Sequence, residues 1–193
     1  VVSHWVADTL VHKAPNGDFV PFLAESWETS DDGTTWTFHL RDDVTFHDGT
    51  PWNAEAAKYN FERILDPDTQ SGQSASMLGP VVSMEVVDDY TFQVTHESPF
   101  APFIDSISEG FIPMWSPTAA EEYGYDEFQR HLVGSGPFMV EEYSPGDKYV
   151  FVKNPDYNWA SSAYQHQGPA YLDKITLRFI NEPQTTIAAF NSG

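Results

Sequence analysis

The chain has 193 residues, of which 40% are hydrophobic and 15% aromatic, as is typical of a packed globular protein. Its formal net charge is −20, with 9 lysines and arginines against 29 aspartates and glutamates. Because nucleic acids and anionic membrane surfaces are bound through basic groups, this balance argues against both as partners.

The chain has no cysteine, which excludes disulfides, thiolate catalysis and cysteine-ligated metal sites. Its first ten residues, VVSHWVADTL, show no signal peptide, and with no initiator Met we expect a processed or shortened chain. Two explanations of the acidity stay open. The carboxylates either keep the protein soluble or suit a high-salt habitat.

The first segment, residues 1–13, carries four apolar residues at roughly helical spacing, which predicts a short helix: Trp5, Val6, Leu10 and Val11. A turn at 14–18 follows, and residues 19–23 return to extended structure.

Residues 35–41 alternate between apolar and polar side chains, which predicts a half-buried strand. Its apolar face holds Trp36, Phe38 and Leu40, while His39 faces solvent. Turn residues flank the strand at 30–33 and 47–51. We assign Phe46 to the core as well, and Trp27 to packing.

A helix is predicted from Ala54, with Asn53 as its cap and one apolar stripe along about three turns. Pro67 ends it, because proline disfavours helix at the preceding residue.

The later elements follow from alternation and from turn residues. They are a Ser/Gln/Gly-rich irregular loop at 69–79, a hairpin at 86–94, a short helix opening at 98–103, a helix at 117–123, a hairpin of 138–143 and 148–153, a strand at 174–180 and a helix at 182–191.

No catalytic or metal motif stands out. None of the seven histidines has the spacing of a zinc site, so we assign them structural or surface roles, while a cluster assembled through space stays open. The run at 66–72 lacks the glycine and the last acid of a calcium loop. Gly134-Ser135-Gly136 is a lone motif, which favours a tight turn over a phosphate site. We therefore predict neither enzyme activity nor a cofactor.

The run AESWETSDDGTTWTFHLRDDVTFHDGTPW, residues 24–52, resembles the signature region of the family 5 extracellular solute-binding proteins. These are receptors of ABC importers that bind oligopeptides, dipeptides or nickel. Further segments resemble the same family in the same order: 86–94, 98–103, 133–138, 152–157, 173–179 and 188–193.

The resemblance implies an α/β (mixed α+β) fold, a lobe of the periplasmic-binding-protein-like class II with mixed β-sheets and flanking helices. Residues 8–131 would form a small mixed-sheet subdomain. Residues 1–7 and 132–193 would form part of the hinge-proximal core. The second lobe is expected to be absent from this chain, and the full-length protein is expected to be a monomer.

The same resemblance implies a protein outside the cytoplasm, in the periplasm or anchored as a lipoprotein, that captures peptides or a similar small solute. Its lobes would close around the solute and dock on the permease subunits. A chemosensory or protein-docking module of the same fold is the alternative, as is a member that binds nickel or oligosaccharide. No motif supports an acid-dependent hydrolase.

The resemblance also suggests where a solute would bind. The loop at 71–74 holds a position where relatives can place an aromatic, and Gln73 there favours hydrogen bonding. Residues 110–115 resemble the cleft wall, and 134–136 the loop that re-enters the core near the cleft. Three aromatics outside clean periodicity stay open between core and ligand: Trp5, Phe111 and Trp115. The candidate ligand-binding residues are Trp5, Ser71, Gln73, Ser74, Phe111, Met114, Trp115, Ser135 and Gly136.

Overall fold

The computed structural model describes residues 3–180 and residue 190. Its helices are α1 (Ser3–Val6), α2 (Ala54–Leu65), α3 (Gly72–Leu78), α4 (Phe103–Ser106) and α5 (Pro117–Phe128). Its strands are β1 (Val11–Lys13), β2 (Phe19–Pro21), β3 (Ala24–Thr29), β4 (Thr35–Leu40), β5 (Val81–Asp88), β6 (Thr91–His96), β7 (Phe138–Ser144), β8 (Lys148–Lys153) and β9 (Lys174–Arg178).

In the described residues these strands form three sheets: a β1–β2 pair, a four-stranded sheet in the order β3-β4-β6-β5, and a three-stranded sheet in the order β7-β8-β9. The mixed α and β fold class is confirmed. Every pairing between the named strands is antiparallel. Most neighbouring strands are joined by short turns, which bring consecutive strands together in opposite directions.

The four-stranded sheet buries one face and leaves the other polar. Trp36 and Phe38 lie opposite Val94 and Phe92 on the neighbouring strand, and all four are buried. His39 is exposed. The strand and its predicted facing are therefore confirmed. Phe46 is also buried, and Trp27 packs against the same core, as the sequence indicates.

Helix α2 covers the buried face of this sheet. Its apolar stripe contains Ala57, Phe61 and Ile64, all buried. The ring of Phe61 lies 5.4 Å from that of Phe92, centroid to centroid. The helix starts and ends where the sequence predicts. At its start, the Asn53 side chain accepts a hydrogen bond from the Ala56 backbone N–H at 2.9 Å.

Replacing Asn53 with alanine should lower the free energy of unfolding by about 1 kcal/mol, because the N–H groups of the first turn lose their acceptor. Urea unfolding followed by circular dichroism measures the change. Asn53→Asp keeps an accepting oxygen and should restore most of the stability. Equal losses in both variants would contradict a capping role.

A second packing centre lies beneath the three-stranded sheet. Val6, Phe138 and Phe151 form its buried part, and the Trp5 ring meets that of Phe151 edge-on at 5.5 Å. The hairpin of β7 and β8 and the strand β9 agree with the prediction. Helix α1 therefore packs with the later third of the chain.

Two predictions about local structure are wrong. Only residues 3–6 of the first segment are helical, and Val11–Lys13 instead pairs with Phe19–Pro21, because the turn at 14–18 folds these residues back on each other. Residues 69–79 are not an irregular loop, since they contain α3. That helix forms because Leu78 is fully buried, with Ala75 and Met77 packed beside the core. The helix predicted at 182–191 lies outside the described residues except for residue 190.

Candidate functional site

The loop at 134–136 crosses the backbone that leaves α1 at very close range. The Gly136 N–H donates to the Val6 carbonyl at 2.9 Å. A Cβ at Gly134 would lie 2.2 Å from that same carbonyl oxygen, and one at Gly136 would lie 2.7 Å from the Val6 carbonyl carbon. Glycine is therefore needed at both positions for close approach, in a loop that bends at 135–137.

Asp8 is the centre of a buried polar cluster just below α1. Its Oδ2 accepts hydrogen bonds from Ser135 Oγ at 3.0 Å and from Trp159 Nε1 at 3.1 Å. Its Oδ1 accepts one from the Tyr157 hydroxyl at 3.4 Å. Burial raises the pKa of Asp8 to about 7, although the three donors oppose the rise. Burial also raises the pKa of Tyr157, so its hydroxyl stays a donor.

His47 joins this loop to the first half of the chain. Its Nε2 lies 2.9 Å from the Gly136 carbonyl oxygen, and its Nδ1 accepts from the Gly134 N–H at 3.4 Å. Burial lowers the pKa of His47, which favours the neutral ring. The role is structural, as predicted, although the sequence shows only a turn residue.

The connection at 107–115 lies between α1 and α3, and both helices hold it. Ser3 Oγ donates to the Gly110 carbonyl at 2.9 Å, and Ser74 Oγ donates to the Phe111 carbonyl at 2.8 Å. A Cβ at Gly110 would lie 2.3 Å from Nε2 of His4, so the imidazole rests directly on the backbone. Phe111 leaves 55% of its surface exposed.

Beside this connection, α1 borders two cavities of about 540 and 370 Å³. The larger has a volume suited to a small molecule. His4 and Tyr164 line both. The larger cavity is also lined by Trp5, Asp8, Pro137, Phe138, Tyr157, Ala160, Gln165, His166, Gly168 and Ala170.

We call the exposed and half-buried residues around this connection the α1 face: His4, Trp5, Gln73, Phe111 and Tyr164. Partial burial lowers the pKa of His4 and of His12 beneath Tyr164, so both rings are neutral near pH 7 and can donate and accept. The α1 face thus offers aromatic surface, an amide and the His4 imidazole, which suit hydrogen bonding and stacking. In the described residues, no three His, Cys, Asp or Glu side chains are grouped to hold a metal ion.

The candidate residues from the sequence divide into three groups. Trp5, Gln73 and Phe111 lie on the α1 face, with Ser71 and Ser74 at its edge. Three are buried among the described residues: Met114, Ser135 and Gly136.

Trp115 is separate. Its backbone N–H and carbonyl both bond the Asn60 side chain, and its ring meets Phe128 at 5.7 Å beside another cavity.

Sequence reasoning missed His4, Asp8 and Tyr164. His4 directly precedes Trp5, a candidate from the sequence, and this is only a weak indication of a binding role. Asp8 and Tyr164 carry none, since their partners are distant in sequence.

Residues 18–193 match the sequence profile described as bacterial extracellular solute-binding proteins, family 5 Middle. The chain is 32% identical over 196 residues to the nickel-binding periplasmic protein of Escherichia coli K12, covering 97% of this chain and 34% of the relative. It is 36% identical over 171 residues to the glutathione-binding protein GsiB of Salmonella typhi, covering 89% and 32%.

Solved structures of periplasmic binding proteins are similar to this chain as well. NikA from Brucella suis, in complex with Fe(III)-EDTA, is 30% identical with a TM-score of 0.82, over 100% of this chain and 37% of that one. The periplasmic binding protein DppA from Helicobacter pylori, in complex with the peptide STSA, is 30% identical with a TM-score of 0.81, over 98% and 40%. The chain spans about a third of the length of the curated relatives that it matches. None of the described helices has the length and apolar character needed to cross a bilayer.

Proposed function

Because the chain belongs to the bacterial extracellular solute-binding proteins of family 5, we propose that it is part of the receptor that captures a solute for an ABC importer. The family resemblance read from the sequence is confirmed. The family consists of solute-binding proteins, so the prediction that the chain is not an enzyme is confirmed too. We place the protein outside the cytoplasm, as the names of its periplasmic relatives support.

The α1 face would be one wall of the solute cleft. What supports this proposal is that α1 and α3 both hydrogen-bond the 107–115 connection, and that Trp5, Gln73 and Phe111 on these three segments are exposed or half-buried. A second lobe would close over it by hinge motion, and the closed receptor would dock on permease subunits. We expect the full-length receptor to act as a monomer.

The predicted division of the chain remains part of the proposal, with residues 8–131 as one subdomain and 1–7 with 132–193 as the other. It is supported by the second packing centre, whose buried residues Val6, Phe138 and Phe151 all come from the latter set. Tyr157 and Trp159 pack in the main core instead, which makes them the joint between the two.

A peptide or a similar small polar solute fits the wall best. The five residues that define the wall carry neutral imidazole, amide and aromatic groups. Relatives are named for glutathione, D,D-dipeptides and nickel, so these solutes are the first to test.

Calorimetric titration of the full-length protein with di- to pentapeptides, glutathione, sugars and nickel chelates tests the proposal. We expect at least one peptide-like solute to bind, and Phe111→Ala to weaken it by about tenfold through lost aromatic contact. Tyr90→Ala, at the β5–β6 turn, is the matched control and should bind as the unaltered protein does. No binding anywhere in the panel would contradict the function. Full affinity in Phe111→Ala would instead contradict the assignment of the wall.

A further inference from the structure

Arg63 on α2 has aromatic neighbours and, within the described part of the chain, no acidic partner. The centre of its guanidinium lies 5.8 Å from the Tyr125 ring and 5.0 Å from the Phe128 ring. Its Nε is buried and has no hydrogen-bond partner among the described residues. A buried donor left unpaired is unusual in a native fold, and a ligand is one of its ordinary explanations.

The lack of a partner stands out in so acidic a chain. Seven of the nine lysines and arginines form ion pairs among residues 3–180, which leaves Arg63 and Arg178. Arg178 lies exposed on β9 and is therefore open to solvent. Arg63 is half-buried.

Arg63 borders a cavity of about 440 Å³ on the side of α2 where α5 packs. We call it the α2–α5 cavity. Its other lining residues are Asp68, Thr69, Gln70, Trp115, Tyr125, Phe128, Gln129 and Leu132. None of them belongs to the α1 face.

The edge of the cavity is strained. Gln70 has φ 52° and ψ 28°, and it is the one non-glycine residue with positive φ among those described. Such backbone strain is concentrated at binding sites, where the surrounding structure holds it in place.

We propose that the α2–α5 cavity binds a small carboxylate with a flat apolar body, at a site separate from the α1 face. The guanidinium would pair with the carboxylate, for which its planar fork of donors is suited. Trp115, Tyr125 and Phe128 would pack against the body. A single cation favours one negative charge over a phosphate, and the three aromatic walls favour an apolar ring.

Asp68 provides a control in which binding of an anionic ligand should become tighter. It is the one carboxylate lining the cavity within the described residues, and it lies beyond ion-pairing distance of Arg63. It should therefore repel an anionic ligand. Asp66, nearby, already accepts from the Tyr125 hydroxyl at 2.9 Å.

Benzoate is the probe. Its binding is measured by calorimetry and by the shift of the NMR signal of the Trp115 indole N–H. We expect saturable binding of benzoate, and binding at least about tenfold weaker for benzamide, which has the same shape without the charge. Arg63→Gln should weaken benzoate by about tenfold or more, while Arg178→Gln, which removes the same charge elsewhere, should leave it unchanged.

Asp68 is exposed in the short 3-10 helix Pro67–Thr69, so Asp68→Asn should not endanger the fold and keeps the proposal testable if Arg63→Gln unfolds. It should tighten benzoate by about two- to fivefold. Any of three results would overturn the proposal: no saturation by about 10 mM benzoate, equal affinity for benzoate and benzamide, or no tightening in Asp68→Asn.

Discussion

Gly134→Ala is expected to lower the free energy of unfolding by about 3 kcal/mol, at the upper end for an overpacked site. The added Cβ would lie 2.2 Å from the Val6 carbonyl oxygen and 2.6 Å from the Ala7 Cβ. Neither atom belongs to a side chain that can rotate away. Relief therefore requires the loop and the α1 backbone to separate, which would break the bond from the Gly136 N–H to the Val6 carbonyl.

Chemical unfolding measured by tryptophan fluorescence gives the size of this effect. Gly72→Ala is the matched control, since Gly72 begins α3 and a Cβ there would meet open space within 4 Å. It should leave stability unchanged or raise it by up to about 1 kcal/mol. If the two variants behaved alike, the close crossing would not matter to the fold.

Asp8→Asn is expected to change how stability depends on pH. The carboxyl has a pKa of about 7 in the folded chain, against an ordinary value of 3.8. Between these values the folded state holds more protons than the unfolded state, so the free energy of unfolding falls as pH rises. From pH 5 to pH 8 this single group removes about 2–3 kcal/mol. Asparagine does not titrate and can still accept from Ser135 and Trp159.

The measurement is the stability difference between Asp8→Asn and the unaltered protein at pH 5 and at pH 8. The variant should gain about 2–3 kcal/mol relative to the unaltered protein at the higher pH. Burial lowers the pKa of His47, but its effect is common to both proteins and cancels. Hydrogen bonding from Ser30 lowers the pKa of Asp32, which therefore acts only below this window. Asp31→Asn, at an exposed site, should show no such gain. An unchanged difference would refute the role of Asp8.

Local patterns in the sequence are enough to predict most of the sheets. β4 and α2 each have a strict period and clear end signals, and the structure reproduces both nearly to the residue. The hairpins at β5–β6 and β7–β8 have turn residues between alternating runs. Such features depend on residues that are close in sequence, so they can be predicted from the sequence.

The wrong predictions of secondary structure occur where contacts between residues distant in sequence determine the local fold. The run at 69–79 contains several Ser and Gly residues, which form helices less readily than Ala or Leu, yet α3 forms because Leu78 is buried in the core. Val11 fits a helical pattern, yet it pairs with Pro21 because the turn between them closes. In both cases tertiary packing overrides local preference.

The candidate site could be predicted only in part, because it too depends on contacts between residues that are distant in sequence. The sequence leaves Trp5 and Phe111 open between core and ligand, and the fold differs between them, since Phe111 is 55% exposed while Trp5 packs in part against the second packing centre. Met114 and Ser135 were chosen by resemblance alone, and only the fold shows that both are buried. Asp8 is one of 29 acids, and nothing nearby in the sequence distinguishes it.

The Asp8 cluster also bears on the order in which the chain folds. The three donors to this carboxylate follow it by 127, 149 and 151 residues. During synthesis on a ribosome, the hairpins of the four-stranded sheet can form while those donors are still untranslated. The segment around α1 must then wait, because closing so long a loop is slow. We expect its amides to be the last to gain protection in pulsed hydrogen exchange.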